Sequence, residues 1–155
     1  ANRDRLLAMA RDMGFKAQAY DDPDVALAGA DLVVSSVPHT GIKEPFLDPY
    51  CLSPGAFVSM VDLTKPWKKA GLAGLDRMVI DDAEQERAMA GDPMMAPDMI
   101  AGDLKDLATG RLTGRNNADE RQAFAFRGLA LGDLALATLV YTKALEQGVG
   151  LRLER

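Results

Sequence analysis

One apolar run, Leu32-Val33-Val34-Ser35-Ser36-Val37, constrains this chain more than any other stretch. The small residues Gly29-Ala30 lead into it through Asp31, and Pro38 stops it. A continuous β-branched run between turn signals predicts a strand buried on both faces, in the middle of a parallel sheet. Proline cannot donate to a strand ladder, so the strand should end at Pro38. Ligands of open parallel sheets gather just beyond the carboxyl ends of the strands. Ser36, Val37, Pro38, His39 and Thr40 are therefore expected to line a site.

The rest of the chain alternates in the same sense. Leu6, Leu7, Met9, Ala10 and Met13 recur at helical spacing, with Asn2 or Asp4 as candidate caps and Gly14 as a stop. Residues 16–20 alternate polar and apolar and read as a short strand. Residues 22–28 open with a capping Asp22 and an early Pro23, as a short helix does. Pro45 and Pro49 limit 42–52 to turns and short helix. Residues 56–63 read as the next buried strand, 64–69 as a polar loop at its carboxyl end, and 78–80 as a third strand closed by Asp81-Asp82. Residues 83–90 and 100–109 read as helices, 91–97 as an exposed Pro-rich connection, and 129–147 as a long helix ended by Gly148 and Gly150. Helix and strand in alternation predict an α/β fold with a parallel sheet.

Composition narrows the function classes. A length of 155 residues suits one domain, and a content of 48% hydrophobic and 26% charged residues is that of a globular protein. The formal charge of −5 and the lack of a basic run give no footprint for nucleic acid. No apolar stretch approaches the roughly 20 residues needed to cross a bilayer, and no signal peptide is read. The single Cys51 excludes an intrachain disulfide and fits a reducing, cytoplasmic compartment. One cysteine and one histidine are too few for zinc, so a metal-free domain is expected.

Three features could carry chemistry. Asn2-Arg3-Asp4 would read an adenosine ribose if a strand precedes it, and a guanidinium there would favour a 2′-phosphate; by composition alone it reads first as a solvated helix start. Asp62 and Thr64 follow a predicted buried strand, where a carboxylate can serve as general acid or base; Asp62 could instead cap a turn, with Trp67 covering a core edge. His39 stands at a strand end either as an acid/base group or as a polar loop residue. Ser35 and Ser36 lack the G-x-S-x-G surroundings of a nucleophile elbow. The chain contains no G-x-G-x-x-G. With no initiator Met and an abrupt helical start, it reads as the later part of a doubly wound domain whose first strand, turn and helix are missing.

These segments, taken in order, resemble the carboxyl-terminal half of the ornithine cyclodeaminase/mu-crystallin family. Asn2-Arg3-Asp4-Arg5 matches the Arg-containing turn after the family's second strand. Ala30 to Pro38 matches its A-D-I-V-V-T-A-T-P strand, and Leu52 to Asp62 its L-x-P-G-x-x-V-N-A-V-G strand. Val79-Ile80-Asp81 and Met89-Ala90-Gly91-Asp92 echo its V-x-D and E-A-G-D pair. Gly102-Asp103-Leu104 through Gly110 to Gly114-Arg115 and Phe124 to Asp133 match two later segments.

The resemblance implies a Rossmann-type NAD(P) domain, residues 1–115, followed by a helical segment, 116–155, that packs on a second domain or swaps to another copy. It implies hydride transfer between nicotinamide and an amino or imino acid, with NADP or NAD as cofactor and a homo-oligomer, a dimer, as the assembly. Asn2 and Arg3 would meet the cofactor's ribose end. Ser36, Val37 and Pro38 would lie on one side of the nicotinamide, with Val61, Asp62, Leu63 and Gly128 on the other. The cyclodeaminase carboxylate falls at Thr64, so Thr64 and Asp62 are the candidate catalytic residues of a ketimine reductase, amino-acid dehydrogenase or cyclodeaminase-like enzyme. Phe126 stands in place of the family's serine beside the nicotinamide. The chain taken alone is expected to be inactive. Two alternatives stay open: a crystallin-like binding protein without turnover, and a shikimate-dehydrogenase-like oxidoreductase.

Overall fold

Five short parallel strands build the sheet of the computed structural model, which describes residues 2–38, 40, 44–89, 91–151 and 153. Across the sheet they run β1 (Leu32–Ser35), β2 (Phe57–Met60), β5 (Gln122–Ala125), β3 (Arg77–Ile80) and β4 (Ile100–Asp103). β1 to β4 step one way and leave a slot between β2 and β3, which β5 returns to fill. Right-handed crossovers then put the first three connections on one face of the sheet and the β4–β5 connection on the other. Burial agrees. Leu52, Trp67, Leu72, Met94 and Met95, all from the first three connections, share one core with Val58, Met60, Met78, Ile80, Ala123 and Ala125. In register, Val58 and Met78 flank Ala123, and Met60 and Ile80 flank Ala125, so small residues on the central strand make room for the crossovers above it. The result is the expected Rossmann-like α/β sheet with flanking helices.

Local chemistry sets the element ends. The carboxylate of Asp22 accepts from the Asp24 amide ahead of α2 (Pro23–Leu27), and that of Asp82 accepts from Glu84 and Gln85 ahead of α3 (Ala83–Ala88). Asp103 and Asp106 form a reciprocal capping box on α4 (Leu104–Ala108). Gly148, with φ of 64°, closes α5 (Ala130–Gln147) in the left-handed conformation that glycine tolerates best. Neither α1 (Asn2–Asp12) nor α5 buries any residue.

Several expectations are corrected. β1 lies at an edge rather than in the middle: its one partner among the described residues is β2, and Leu32 and Val34 on its open face are 76% and 71% exposed. Residues 16–20 form no strand, because no neighbouring strand offers them a ladder. The predicted helix over 100–109 begins as strand β4 and turns helical at Leu104, where the Asp103 cap starts it. β5 occupies the middle of the sheet although its sequence, Gln-Ala-Phe-Ala, carries no β-branched residue.

Candidate functional site

The carboxyl ends of β1, β2, β3 and β5 converge on one edge of the sheet. The β1–β2 ladder runs one bond past the strands, from the Val61 amide to the Ser35 carbonyl at 3.0 Å, and then the chains part. The Asp62 carboxylate clasps the opening, its Oδ2 accepting from the Val37 amide at 3.2 Å. Asp62 is 1% exposed, and its Oδ1 has no hydrogen-bond partner. A buried acceptor left unsatisfied costs about 1–3 kcal/mol, so this clasp is not built for stability alone. Beneath it, Trp67 is fully buried and its indole N–H donates to Ser35 Oγ at 2.8 Å. That bond places the tryptophan against the strand that carries Ser36 and Val37.

Backbone strain concentrates next to the clasp. Leu63 and Thr64 have φ of 56° and 57°, the only non-glycine residues with positive φ among the described residues. Such positions cost on the order of 1–3 kcal/mol each and persist only where surrounding contacts over-determine them. Here the contacts are plain. The Lys65 amide bonds the Asp62 carbonyl and the Trp67 amide bonds the Thr64 carbonyl. Thr64, fully buried, donates its hydroxyl to the Met94 carbonyl at 2.6 Å. Lys69 Nζ donates to Thr64 Oγ1 at 2.6 Å and to the same Met94 carbonyl. Burial holds the Lys69 ammonium below the usual lysine range and the Lys65 charge pushes the same way, while Asp92 and Glu86 pull it back up.

Residues 91–95 lie over this edge as a strap, fixed at several points. Lys65 pairs with Asp92 at 2.6 Å. The Met94 amide donates to Glu86 Oε1 at 2.6 Å, and Arg127 bonds Glu86 Oε2 and the Asp92 carbonyl, both at 2.8 Å. The Arg127–Glu86 pair is buried, with side chains 9% and 5% exposed. The loop after β5 is held in turn by Asp81 Oδ2, which accepts from the Arg127 and Gly128 amides at 3.0 and 2.7 Å. Gly128 has φ of 122°, a conformation that L side chains rarely adopt.

Of the predicted site residues, Ser36, Val37, Asp62 and Thr64 sit at this edge as described. Val61 is exposed and Leu63 packs against the core. Ser36 and Val37 also line a groove of about 360 Å³ along β1, together with Leu32, Val34 and Phe46. A larger cavity, about 680 Å³, lies by the carboxyl end of α5 and touches none of the predicted residues. Asn2 opens α1, and Arg3 pairs with Asp21 at 2.6 Å on the surface. Pro38 is exposed, and His39 lies outside the described residues. Sequence reasoning missed Lys69, Glu86 and Met94. The doubled lysine after Trp67 was a usable signal; the burial of Glu86 and the role of the Met94 carbonyl left none. Among the described residues no cluster of His, Cys, Asp and Glu could hold a metal ion, and no helix is long and apolar enough to cross a membrane.

Comparison with known proteins adds to this geometry. The model of the ornithine cyclodeaminase/mu-crystallin family matches residues 1–148. A delta(1)-pyrroline-2-carboxylate reductase of Bacillus cereus is 28% identical over 152 residues, covering 91% of this chain and 46% of that protein. The crystal structure of a probable ornithine cyclodeaminase from Bordetella pertussis superposes with a TM-score of 0.76 at 26% identity, covering 98% of this chain and 51% of that one. An archaeal alanine dehydrogenase dimer with bound NAD superposes with a TM-score of 0.79 at 19% identity, covering 97% and 48%. The chain thus spans about half the length of the relatives it matches.

Proposed function

The chain belongs to the ornithine cyclodeaminase/mu-crystallin family, and from that premise we propose that it is the NAD(P)-binding half of an oxidoreductase acting on an amino or imino acid. The observation that carries the reading is the clasp between Asp62 and Val37, which ties the ends of β1 and β2 where ligands of open parallel sheets gather. A nicotinamide fits that edge. Asp62 Oδ1 is a buried acceptor without a donor, a match for a carboxamide NH₂, and the groove along β1 opens beside Ser36 and Val37. When bound, the cofactor supplies the hydride donor or acceptor. Ser36, Val37 and Pro38 would flank it on one side, with Val61, Leu63 and Gly128 on the other, and Asp62 would hold its orientation. The fixed loop over β5 and the strap would exclude water. Arg3, freed from Asp21, would select the 2′-phosphate of NADP over NAD.

Thr64 offers a hydroxyl where the family resemblance puts the cyclodeaminase carboxylate, and that hydroxyl is bonded to Met94 and Lys69. With no general-base carboxylate there, reduction of an imino acid, or its reverse, is supported over cyclodeamination. The full burial of Thr64 favours a second reading, a crystallin-like protein that binds nucleotide without turnover. The exposed apolar residues of α5, among them Leu134 and Tyr141, support self-association, with a dimer as the expected form. A single free thiol, Cys51, fits a cytoplasmic setting.

The test is turnover by the whole protein: oxidation of NADPH and NADH in the presence of imino acids formed from 2-oxoacids and ammonia. Imine-dependent oxidation is expected; saturable nucleotide binding without it would favour the non-enzymatic reading. Arg3→Ala should weaken NADPH far more than NADH, and equal losses would remove that role.

A further inference from the structure

We propose that Asp62 sets the redox preference of this site: its carboxylate is the counter-ion of the positively charged nicotinamide ring and so favours NAD(P)⁺ over NAD(P)H. The inference rests on the oxidoreductase reading above. Its first support is an uncompensated charge. At this edge Lys65, Lys69 and Arg127 stand with Asp62, Asp81, Glu86 and Asp92. Three cations against four carboxylates leave one negative charge over. Asp92 pairs with Lys65 and Glu86 with Arg127, while Lys69 directs its bonds to two neutral oxygens. Neither Asp62 nor Asp81 forms an ion pair among the described residues. Asp81 is held by two amides, those of Arg127 and Gly128, whereas Asp62 accepts from one, that of Val37.

The second support is burial. Asp62 is 1% exposed, and its Oδ1 is a buried acceptor with no partner. A carboxylate buried without a cation costs free energy, and a cation that docks against it recovers part of that cost in surroundings that screen charge less than water. The third support is sequence. The family strand L-x-P-G-x-x-V-N-A-V-G closes on glycine where this chain has Asp62, and the cyclodeaminase carboxylate falls at Thr64. The negative charge of this chain therefore sits two residues earlier, at the clasp that ties β1 to β2 rather than in the strained turn beyond it. A carboxamide N–H donated to Oδ1 would serve both forms of the cofactor alike; the charge distinguishes them.

Imine reduction moves a hydride from the dihydronicotinamide to the carbon of the protonated imine, which becomes the amine. The positive charge passes from the substrate to the ring, beside Asp62. Stabilising that outcome favours hydride donation on the protein, while the equilibrium in free solution stays as it is.

The test is calorimetric titration of the whole protein, without substrate, with NADP⁺, NADPH, NAD⁺ and NADH. Asp62→Asn keeps the size of the side chain and an oxygen for the Val37 amide, and a thermal melt checks its fold. Asp62→Gly, which introduces the residue of the family motif, is the second variant. For the couple that binds, the ratio of Kd for the oxidised form to Kd for the reduced form should rise at least about tenfold in both variants. Asp48→Asn removes a carboxylate already paired with Lys68 and should move the ratio less than about twofold. A ratio unchanged in the Asp62 variants, even with both forms weakened, would leave Asp62 a hydrogen-bonding role and overturn the inference. An equal rise in Asp48→Asn would also overturn it, since net charge alone would then suffice. If the native protein binds none of the four nucleotides, the oxidoreductase reading itself fails, and the inference with it.

Discussion

The middle of the sheet and the long helix α5 are both rich in apolar residues, yet they use them in opposite ways. Val58, Met60, Ile80 and Ala125 are fully buried on one face of β2, β3 and β5, under connections that contribute Trp67, Leu72 and Met94. Leu131, Leu134, Leu139 and Tyr141 on α5 are all at least half exposed, as are Leu6 and Met9 on α1. The same periodicity that makes a helix amphipathic does not say what its apolar side meets. β1 stands between the two cases, with Val33 and Ser35 facing the core and Leu32 and Val34 facing out. The candidate site lies where buried meets open, at the carboxyl ends of β1 and β2.

The comparison breaks most easily through paired truncations. Met60→Ala should destabilise the 155-residue chain by about 2–5 kcal/mol, whereas Leu134→Ala should change it by no more than about 0.5 kcal/mol, in urea unfolding at a concentration where the chain is monomeric. Equal effects would mean that α5 is packed in solution. Arg127→Ala asks whether the polar cluster belongs to the buried part. It leaves Glu86 buried without its ion pair, and a loss of about 3 kcal/mol is expected in the same measurement. A loss below about 1 kcal/mol, the range of a surface pair, would place the strap outside the cooperative core.

Gly55→Ala tests a point of close approach. The added Cβ would stand 2.6 Å from the Ala118 carbonyl oxygen, in a residue with φ of 80°. A loss of about 1–3 kcal/mol should appear as a lowered Tm. An unchanged Tm would show that the loop before β5 moves freely.

The smallest effect is set by pH. Lys65 bonds Asp92 and holds its carboxyl below the ordinary value of 3.8. A lowered carboxylate pKa stabilises the folded state above 3.8, and that contribution is lost as pH falls through the folded value. Exchange of the Met94 amide should therefore rise as pH falls below 3.8, beyond the intrinsic trend, and Lys65→Met should abolish the step. A step that survives Lys65→Met would belong to another carboxylate.

The extent to which these features were legible in the sequence follows their range. Asp22, Asp82 and Gly148 act within a few residues of their own positions, and each could be read as a cap or a stop. Strand β2 was legible because Phe57-Val58-Ser59-Met60 sits between a turn and a polar loop. β5 was not, since alanine fits the centre of the sheet for steric reasons that only Met60 and Ile80 on its neighbours explain. The edge position of β1 was hidden too, because a β-branched run looks alike with one covered face or two. In the site, Asp62 stood out by its place after a strand. Its bond to Val37 spans 25 positions, and the bond from Thr64 to Met94 spans 30, distances at which a single sequence carries no pairing signal.

The most direct test of the account is a titration of the whole protein with NADPH and NADH, followed by Trp67 fluorescence and repeated with Asp62→Ala. Trp67 is bonded to Ser35 beneath the β1–β2 clasp, so nicotinamide bound there should change its emission saturably. Asp62→Ala should weaken the response about tenfold, as loss of one hydrogen bond to a charged group would. Tight nucleotide binding that leaves Trp67 unchanged and ignores Asp62→Ala would contradict the assignment of this edge.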